Sequence, residues 1–149
     1  MGDPFDLLPA EDDPPPLHTA RVLRPGTTAV LAAYGPMVRT CLEAAAAAES
    51  DGHDLEVVDL RTLSPLDLEP VYASVERTGR LIVVHEAPGT LGLGSEIAAR
   101  VTERCFYSLE APVLRVTGYD TPYPPARLED DYLPDLDRVL DAVDRAFTF

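Results

Sequence analysis

Short apolar runs alternate with helix-like segments along most of the 149-residue chain, and this alternation restricts the fold more than any other feature. Each run is short and mainly apolar, as expected of a strand that is buried on both faces of a sheet. The runs predict strands over residues 29–34, 55–60, 80–85 and 112–117. Strand and helix repeated in this order are typical of a mainly parallel sheet with helices on both faces. We therefore predict an α/β fold.

The segments between these runs have the spacing and the end signals of helices. Gly52 and Gly79 each follow a helical pattern as stop signals, and Ser64 with Pro65 resembles a helix start with an N-cap and a proline at the first position. The residues from 118 to 134 are rich in proline and predict an irregular segment. The predicted helices cover residues 37–50, 64–78, 95–106 and 136–147.

The first 17 residues differ from the rest and predict a separate acidic, proline-rich tail before a domain over residues 18–149. The tail holds Asp and Glu side chains without any basic residue and reaches the proline triplet 14–16. Such a triplet is stiff, extended and excluded from a central strand. We interpret the tail as a solvated leader. The alternative is that Phe5, Leu7 and Leu8 form a short apolar docking element.

The charge balance excludes several classes of partner. Arginine supplies all 12 basic side chains against 26 Asp and Glu residues, which gives a net charge of −14. A nucleic acid or an anionic membrane surface requires a clustered basic face, so we expect neither as a partner. A basic protein surface would instead be attracted. The apolar runs are too short to span a membrane, and the N-terminus lacks the pattern of a signal peptide.

The two cysteines, Cys41 and Cys105, lie in apolar helical patterns and have no metal-ligand spacing. We expect buried free thiols in a reducing cytoplasm. The histidines His18, His53 and His85 are far apart in the sequence, so no metal site is predicted.

The loop after the third predicted strand contains the strongest candidates for chemistry. His85 and Glu86 stand at the strand end, where ligands of open α/β sheets usually bind, and the pair is suited to proton transfer or to a structural hydrogen bond. Gly92 and Gly94 precede a helix, so they either expose N–H groups to an anion or permit a tight turn with close packing. The spacing fits neither a dinucleotide fingerprint nor a P-loop.

Two further places carry residues suited to recognition. Arg61 follows a predicted strand and can bind a carboxylate or phosphate, or pair with Asp59 or Asp67. Tyr119, Asp120 and Tyr123 belong to a stiff aromatic loop that suits a recognition surface, although a packed surface loop has the same composition. The residues alone supply no complete catalytic set.

Several stretches, in this order, resemble the C-terminal, transketolase-type domain of the beta subunit of 2-oxo acid dehydrogenases of the pyruvate and branched-chain type. This subunit belongs to the thiamine-diphosphate-dependent decarboxylase component. The resemblance covers about residues 21–146. The stretches are DLRTLSPLD at 59–67, VVHEAP at 83–88, EIAAR at 96–100, VTGYDTPYPP at 116–125 and YLPD at 132–135.

The resemblance implies a three-layer α/β/α domain with a mixed, mainly parallel sheet of about five strands. It also implies that thiamine diphosphate and Mg are held in the assembled enzyme by other domains and are not bound by this chain alone. The domain would build a homodimer contact, border the active-site funnel and dock a lipoyl-bearing acyltransferase or carrier protein. Its interdomain or dimer face would include Arg61, Gly92, Gly94, Tyr119, Asp120 and Tyr123, with His85 and Glu86 nearby.

The sequence departs from the family pattern in two ways. Gly89 stands where the family usually has arginine, and Leu91 replaces the first of two paired glycines, which puts any contact made there in doubt. The pyrimidine-binding domain expected before Arg21 is replaced by the acidic tail. We therefore expect an excised C-terminal domain, or a split subunit that works with a cofactor-bearing partner chain.

The main hypothesis is therefore a non-autonomous component of a thiamine-diphosphate enzyme that is inactive alone. One alternative is a split transketolase-like component that moves a two-carbon unit from a ketose to a lipoyl group or carrier protein. Another is a non-catalytic docking module for a basic partner, although the same acids would equally form a solvated face. This module would use the acidic residues of the C-terminal third: Asp120, Glu129, Asp130, Asp131, Asp135, Asp137, Asp141 and Asp144.

Overall fold

The computed structural model describes residues 15–149 as a five-stranded sheet between two layers of helices. The strands are β1 (Arg21–Arg24), β2 (Ala29–Ala33), β3 (Leu55–Asp59), β4 (Leu81–Pro88) and β5 (Leu114–Gly118). The helices are α1 (Met37–Ala48), α2 (Glu69–Thr78), α3 (Leu93–Cys105), α4 (Glu129–Tyr132) and α5 (Leu136–Ala146).

The spatial order of the strands is β1-β3-β2-β4-β5. Strands β2 to β5 are parallel, whereas β1 runs antiparallel to β3 at one edge of the sheet. The chain moves from β2 to β3 in one direction and from β4 to β5 in the other. The order therefore reverses between β2 and β4, and such a switch point opens a crevice at the carboxyl ends of the strands.

The two faces of the sheet bury separate apolar cores, because alternate strand residues point to opposite sides. Leu31, Val57 and Ile82 pack beneath α1 and α5 on one face. Val30 and Val83 pack beneath α2 and α3 on the other face. The central strands are buried throughout, which explains why their sequences are continuously apolar.

The structure confirms the predicted fold class and the mixed sheet of five strands. The edge strand β1 was not among the predicted strands, because RVLR mixes two half-buried arginines and an exposed valine with one buried leucine. The predicted helix start at Ser64 is wrong, since α2 begins at Glu69. Residues 64 and 65 instead lie in a turn, closed by a bridge between Leu63 and Leu66.

The backbone before α2 is fixed by a carboxylate rather than by the predicted serine cap. Asp67 accepts the N–H of Glu69 at 3.1 Å through Oδ1 and the N–H of Ala20 at 2.9 Å through Oδ2. This side chain thereby ties the start of α2 to the segment before β1. A serine N-cap signal was present in the sequence, but the N-cap of α2 is Leu68, which makes no side-chain cap hydrogen bond.

An ion pair between a buried glutamate of β3 and an exposed arginine of α2 has no counterpart among the sequence predictions. Glu56 is 2% exposed and accepts two hydrogen bonds from the guanidinium of Arg77, at 2.8 and 3.0 Å. Its carboxylate also accepts the hydroxyl of Ser74 and the N–H of Gly26 at 3.3 Å. A buried carboxylate is costly unless it is paired, so these contacts fix α2 against the sheet.

Cys41 and Cys105 are free and buried, as predicted, and burial raises the pKa of both thiols. Among the described residues, no helix is long and apolar enough to cross a membrane. The predicted tail and its alternative docking element at Phe5, Leu7 and Leu8 lie largely outside the described residues.

Candidate functional site

The switch point of the sheet brings an aromatic, an imidazole and a carboxylate together. Tyr34 follows the end of β2, and His85 and Glu86 lie near the end of the neighbouring strand β4. The Tyr34 and His85 rings stack with centroids 5.9 Å apart and an interplanar angle of 25°. The strand order alone therefore places these side chains in the crevice where α/β domains meet ligands or other domains.

His85 is buried and held by hydrogen bonds at both ring nitrogens. Nδ1 lies 2.9 Å from the carbonyl oxygen of Ala87, and Nε2 lies 3.0 Å from the backbone nitrogen of Gly94. Since a carbonyl only accepts and a backbone N–H only donates, the neutral ring with its proton on Nδ1 satisfies both contacts. Burial lowers the pKa of His85, which favours the same neutral form.

An irregularity between β4 and β5 makes the first of these bonds possible. His85 pairs with Thr117, but the next pair along the register is Pro88 with Gly118. Two residues of β4 therefore bulge against β5 and turn the Ala87 carbonyl back towards the His85 ring. Bulges of this kind commonly redirect side chains beside functional sites.

The two predicted glycines are required by close packing against His85. A Cβ at Gly92 would lie 2.9 Å from His85 Cε1 and 2.1 Å from the Pro88 carbonyl oxygen. A Cβ at Gly94 would lie 2.5 Å from His85 Nε2. The N–H of Gly94, at the start of α3, is already donated to His85, so it is not available to an anion.

Glu86 does not bond to the adjacent histidine. Its side chain is half-buried and makes no hydrogen bond or ion pair with any residue of the described range 15–149. Burial is the main cause that raises the pKa of Tyr34, and the Glu86 charge raises it further. The same charge also adds to the raised pKa of Tyr123, although the hydrogen bond to Glu129 is the main cause there.

The aromatic loop after β5 is packed around one buried ring. Tyr132 is buried, and the rings of Tyr119 and Tyr123 meet it edge-on at 6.2 and 5.1 Å. The Arg138 guanidinium lies 4.8 Å from the Tyr119 ring centroid. The hydroxyl of Tyr123 donates to Glu129, and this bond is the main reason that the pKa of Tyr123 rises to about 12.

Asp120 joins the aromatic loop to the loop between β4 and α3. Its Oδ1 accepts the N–H of Thr90 at 2.9 Å, and its Oδ2 accepts the Thr90 hydroxyl. These hydrogen bonds lower the pKa of Asp120. Arg115 braces the same loop from β5, donating to the Gly89 carbonyl at 2.9 Å and to Ser95 Oγ at 2.6 Å.

Arg61 lies apart from this group, at the carboxyl end of β3 near the edge of the sheet. Its guanidinium donates to the carbonyl oxygens of Pro16 and Thr19 at 3.0 and 3.1 Å. Its backbone N–H donates to Asp59, whose pKa is raised by burial. Arg61 therefore holds the entering chain, a partner that the sequence interpretation did not foresee.

Oxygen ligands for a magnesium ion are one requirement of a thiamine diphosphate site. Magnesium needs several oxygen ligands, yet no group of three or more His, Cys, Asp or Glu side chains within residues 15–149 is placed to hold a metal ion. The Gly94 N–H, at the glycine-rich start of α3, is donated to His85 and is therefore not free to bind a phosphate. No reaction step through the cofactor can be assigned to these residues.

The geometry thus gives His85 a positioning role, while the catalytic role suggested for His85 and Glu86 stays a prediction. The sequence interpretation missed Tyr34, Thr90 and Tyr132. Tyr34 carried a usable signal, because it follows directly on a buried strand. Thr90 carried none, and Tyr132 stood only within the YLPD stretch of the resemblance, since their contacts join residues 30 and 13 positions apart in the chain.

Comparisons with known proteins agree with this architecture. The family model described as transketolase, C-terminal domain, matches residues 18–139. The pyruvate dehydrogenase E1 component subunit beta of Leifsonia xyli is 56% identical over 138 residues, which are 93% of this chain and 41% of the relative. The 3-methyl-2-oxobutanoate dehydrogenase subunit beta of Mycobacterium tuberculosis is 54% identical over 133 residues, 88% of this chain and 38% of the relative.

A solved structure described as a split gene transketolase, inactive beta4 tetramer, superposes with a TM-score of 0.76 at 30% identity. The match covers 95% of this chain and 45% of that chain. This chain thus spans about two fifths of the length of these relatives. It belongs to the transketolase C-terminal domain family and corresponds to the C-terminal domain of the beta subunits of 2-oxo acid dehydrogenases.

Proposed function

We propose that this chain is the C-terminal component of a thiamine-diphosphate-dependent 2-oxo acid dehydrogenase and that it is inactive alone. The similarity to the Leifsonia xyli subunit over 93% of this chain carries the proposal. The match spans only 41% of that subunit, so we assign cofactor binding and the reaction itself to a different polypeptide chain. In such an enzyme the cofactor supplies the chemistry, and the protein supplies binding and orientation.

In this proposal, the cofactor and its magnesium ion are bound by a partner chain. The present chain borders the active site with the carboxyl ends of β2, β4 and β5. Two observations support that assignment. The loops after β4 and β5 are held together by hydrogen bonds, and the neutral His85 ring is already hydrogen-bonded at both nitrogens, so these residues suit a boundary of the active site better than a reactive centre. The homodimer contact, the lipoyl-bearing acyltransferase and the cytoplasmic location predicted from the sequence stay predictions.

The test is a reconstitution of activity from separate chains. The 149-residue chain is mixed with the alpha subunit of the Leifsonia xyli enzyme and with the part of its beta subunit that precedes the matched region. We expect thiamine-diphosphate-dependent release of CO2 from pyruvate or a branched-chain 2-oxo acid, and none when any one chain is left out. Assembly without turnover would instead favour the non-catalytic docking module.

A second candidate is a component of a split transketolase-like enzyme, which the similarity to the split gene transketolase favours. The two candidates differ in the donor of the transferred group. The same reconstitution, supplied with a ketose phosphate and a lipoylated carrier protein, separates them. Transfer from the ketose without CO2 release would overturn the dehydrogenase assignment in favour of the transketolase-like one.

A further inference from the structure

Leu91 combines two features that disfavour a leucine at its position. Its side chain is 98% exposed, and its backbone has a left-handed φ of 59°. The left-handed region costs a residue with a Cβ about 1 kcal/mol or more, and an exposed leucine gains nothing by burial. Since this strained and exposed leucine stabilises nothing within the domain, it points to a role for Leu91 in binding another molecule.

The loop that carries Leu91 is rigid. Thr90, directly before it, donates two hydrogen bonds to Asp120, and Ser95 Oγ donates to the Gly89 carbonyl at 3.2 Å. Gly92, directly after it, packs against the His85 ring. The backbone of Leu91 is therefore held in one position, so that binding through this residue requires little ordering of the loop.

Leu91 is the tip of a wider surface, here called the carboxyl-end patch and formed by Leu91, Tyr119, Tyr123 and Glu86. The Thr90–Asp120 hydrogen bonds hold the two loops of the patch side by side. Tyr119 and Tyr123 are 51% and 56% exposed, and both lean on the buried Tyr132 ring. Rigid tyrosines around an apolar anchor are typical of the energetic centre of protein interfaces.

The charge around the patch selects the kind of partner. The two loops and α4 contain one arginine, Arg127, and Arg138 lies over the Tyr119 ring, against a larger set of acids on and beside these segments. Within the patch, the half-buried Glu86 carboxylate has no bonding partner among residues 15–149. A second copy of the chain would bring the same negative rim and be repelled, whereas a basic rim would be attracted. The acids are Glu86, Asp120, Glu129, Asp130, Asp131 and Asp135.

We propose that Leu91 anchors this chain to its cofactor-bearing partner by entering an apolar pocket whose rim carries arginine or lysine. Tyr119 and Tyr123 pack around that pocket, and Glu86 accepts a hydrogen bond from a cationic side chain of the rim. This inference rests on the proposed function, and it names the residue that fixes the contact.

The test measures the affinity of the full chain for one defined probe, the part of the Leifsonia xyli beta subunit that precedes the matched region. Leu91→Asn keeps a residue that tolerates the left-handed backbone but makes its side chain polar. We expect the dissociation constant to rise at least about tenfold, as for the loss of an interface anchor, while the melting temperature does not fall. Leu91→Met should keep the wild-type affinity within about threefold.

Tyr107→Ser is the matched control, because Tyr107 is 99% exposed but lies beyond the other end of α3. It should leave the affinity unchanged. Equal binding by the wild type and Leu91→Asn would overturn the inference and leave the proposed function standing. Failure of the wild type to bind the probe would overturn the proposed function, and the anchor with it.

Discussion

At the scale of single residues, the His85 side chain connects two elements, the bulged part of β4 and the start of α3. Its ring accepts the Gly94 N–H of α3 and donates to the Ala87 carbonyl at the bulge of β4. The bond from Gly94 leaves no room for a second ring proton, because protonated Nε2 would face the Gly94 N–H as donor against donor. The loop that presents Leu91 thus depends on one neutral imidazole.

The state of His85 predicts how stability changes with pH. Burial lowers the pKa of His85 below its usual 6.5, so the unfolded chain binds more protons than the folded chain in mildly acidic solution. Its contribution to stability is complete above pH 6.5 and is lost as the pH falls through the folded pKa. We expect the free energy of unfolding in urea to be lower at pH 5.5 than at pH 7.5.

His85→Gln is the comparison for this measurement, because an amide can both donate to Ala87 and accept from Gly94 without titrating. We expect it to cost about 1–2 kcal/mol at pH 7.5 from imperfect packing and to show a smaller loss between pH 7.5 and 5.5. The raised pKa of Asp59 acts in the opposite direction, so it cannot produce the wild-type loss. An identical pH dependence in both proteins would show that His85 is not the titrating group.

At the scale of elements, the contact between β4 and β5 determines where both loops of the patch lie. Gly118 ends β5 opposite Pro88, and a Cβ there would lie 2.2 Å from the Glu86 carbonyl oxygen and 2.6 Å from Tyr132 Oη. The bulged part of β4, the end of β5 and α4 meet at this glycine. A side chain at position 118 would have to push these three elements apart.

Gly118→Ala should therefore destabilise the fold by about 2–3 kcal/mol, because backbone rather than a flexible side chain has to move. Gly35→Ala is a matched control: Gly35 has a φ of 60°, but nothing lies within 4 Å of an added Cβ. Its cost should be about 1 kcal/mol from the backbone alone. Calorimetric melting of both variants checks the order, and a smaller effect at position 118 would contradict the packing described.

At the scale of the whole molecule, apolar patterning was sufficient to predict the layers and the central strands. Val30, Val57 and Val83 lie in buried strands, because burial in the sheet removes such apolar runs from water. The edge strand β1 and the Glu56–Arg77 pair were missed because their partners are 21 to 38 residues away. His85 and the two glycines were singled out from the sequence, but the contacts that orient them, from Ala87 at the bulge of β4 and from Gly94 on α3, were not.

The uneven charge of the molecule predicts how fast it meets its partner. Asp130→Asn together with Asp131→Asn removes two charges beside the carboxyl-end patch, and we expect association with the Leifsonia xyli probe to slow by about 3–10-fold at low salt. The dissociation rate should change little, because neither aspartate lies in the patch itself. Stopped-flow mixing at several salt concentrations measures both rates.

Glu49→Gln together with Asp51→Asn removes the same number of charges from the loop between α1 and β3, at the amino ends of the strands. That control should leave the association rate close to the wild-type value. Equal slowing by both pairs would mean that only net charge matters and that the acidic rim does not steer the encounter.

The antiparallel direction of β1 sets where any preceding polypeptide is delivered. Arg21, its first residue, pairs with Asp59 at the carboxyl end of β3, and Arg61 holds Pro16 and Thr19 at that same end. In relatives in which further chain precedes this region, the covalent link therefore tethers that portion on the side of the carboxyl-end patch. A short tether of this kind raises the local concentration of the tethered portion to the order of millimolar. If β1 were parallel to its neighbours, the tether would lie at the opposite end of the sheet. The direction of this one strand therefore decides which end of the sheet faces the tethered portion and which end is left for other chains.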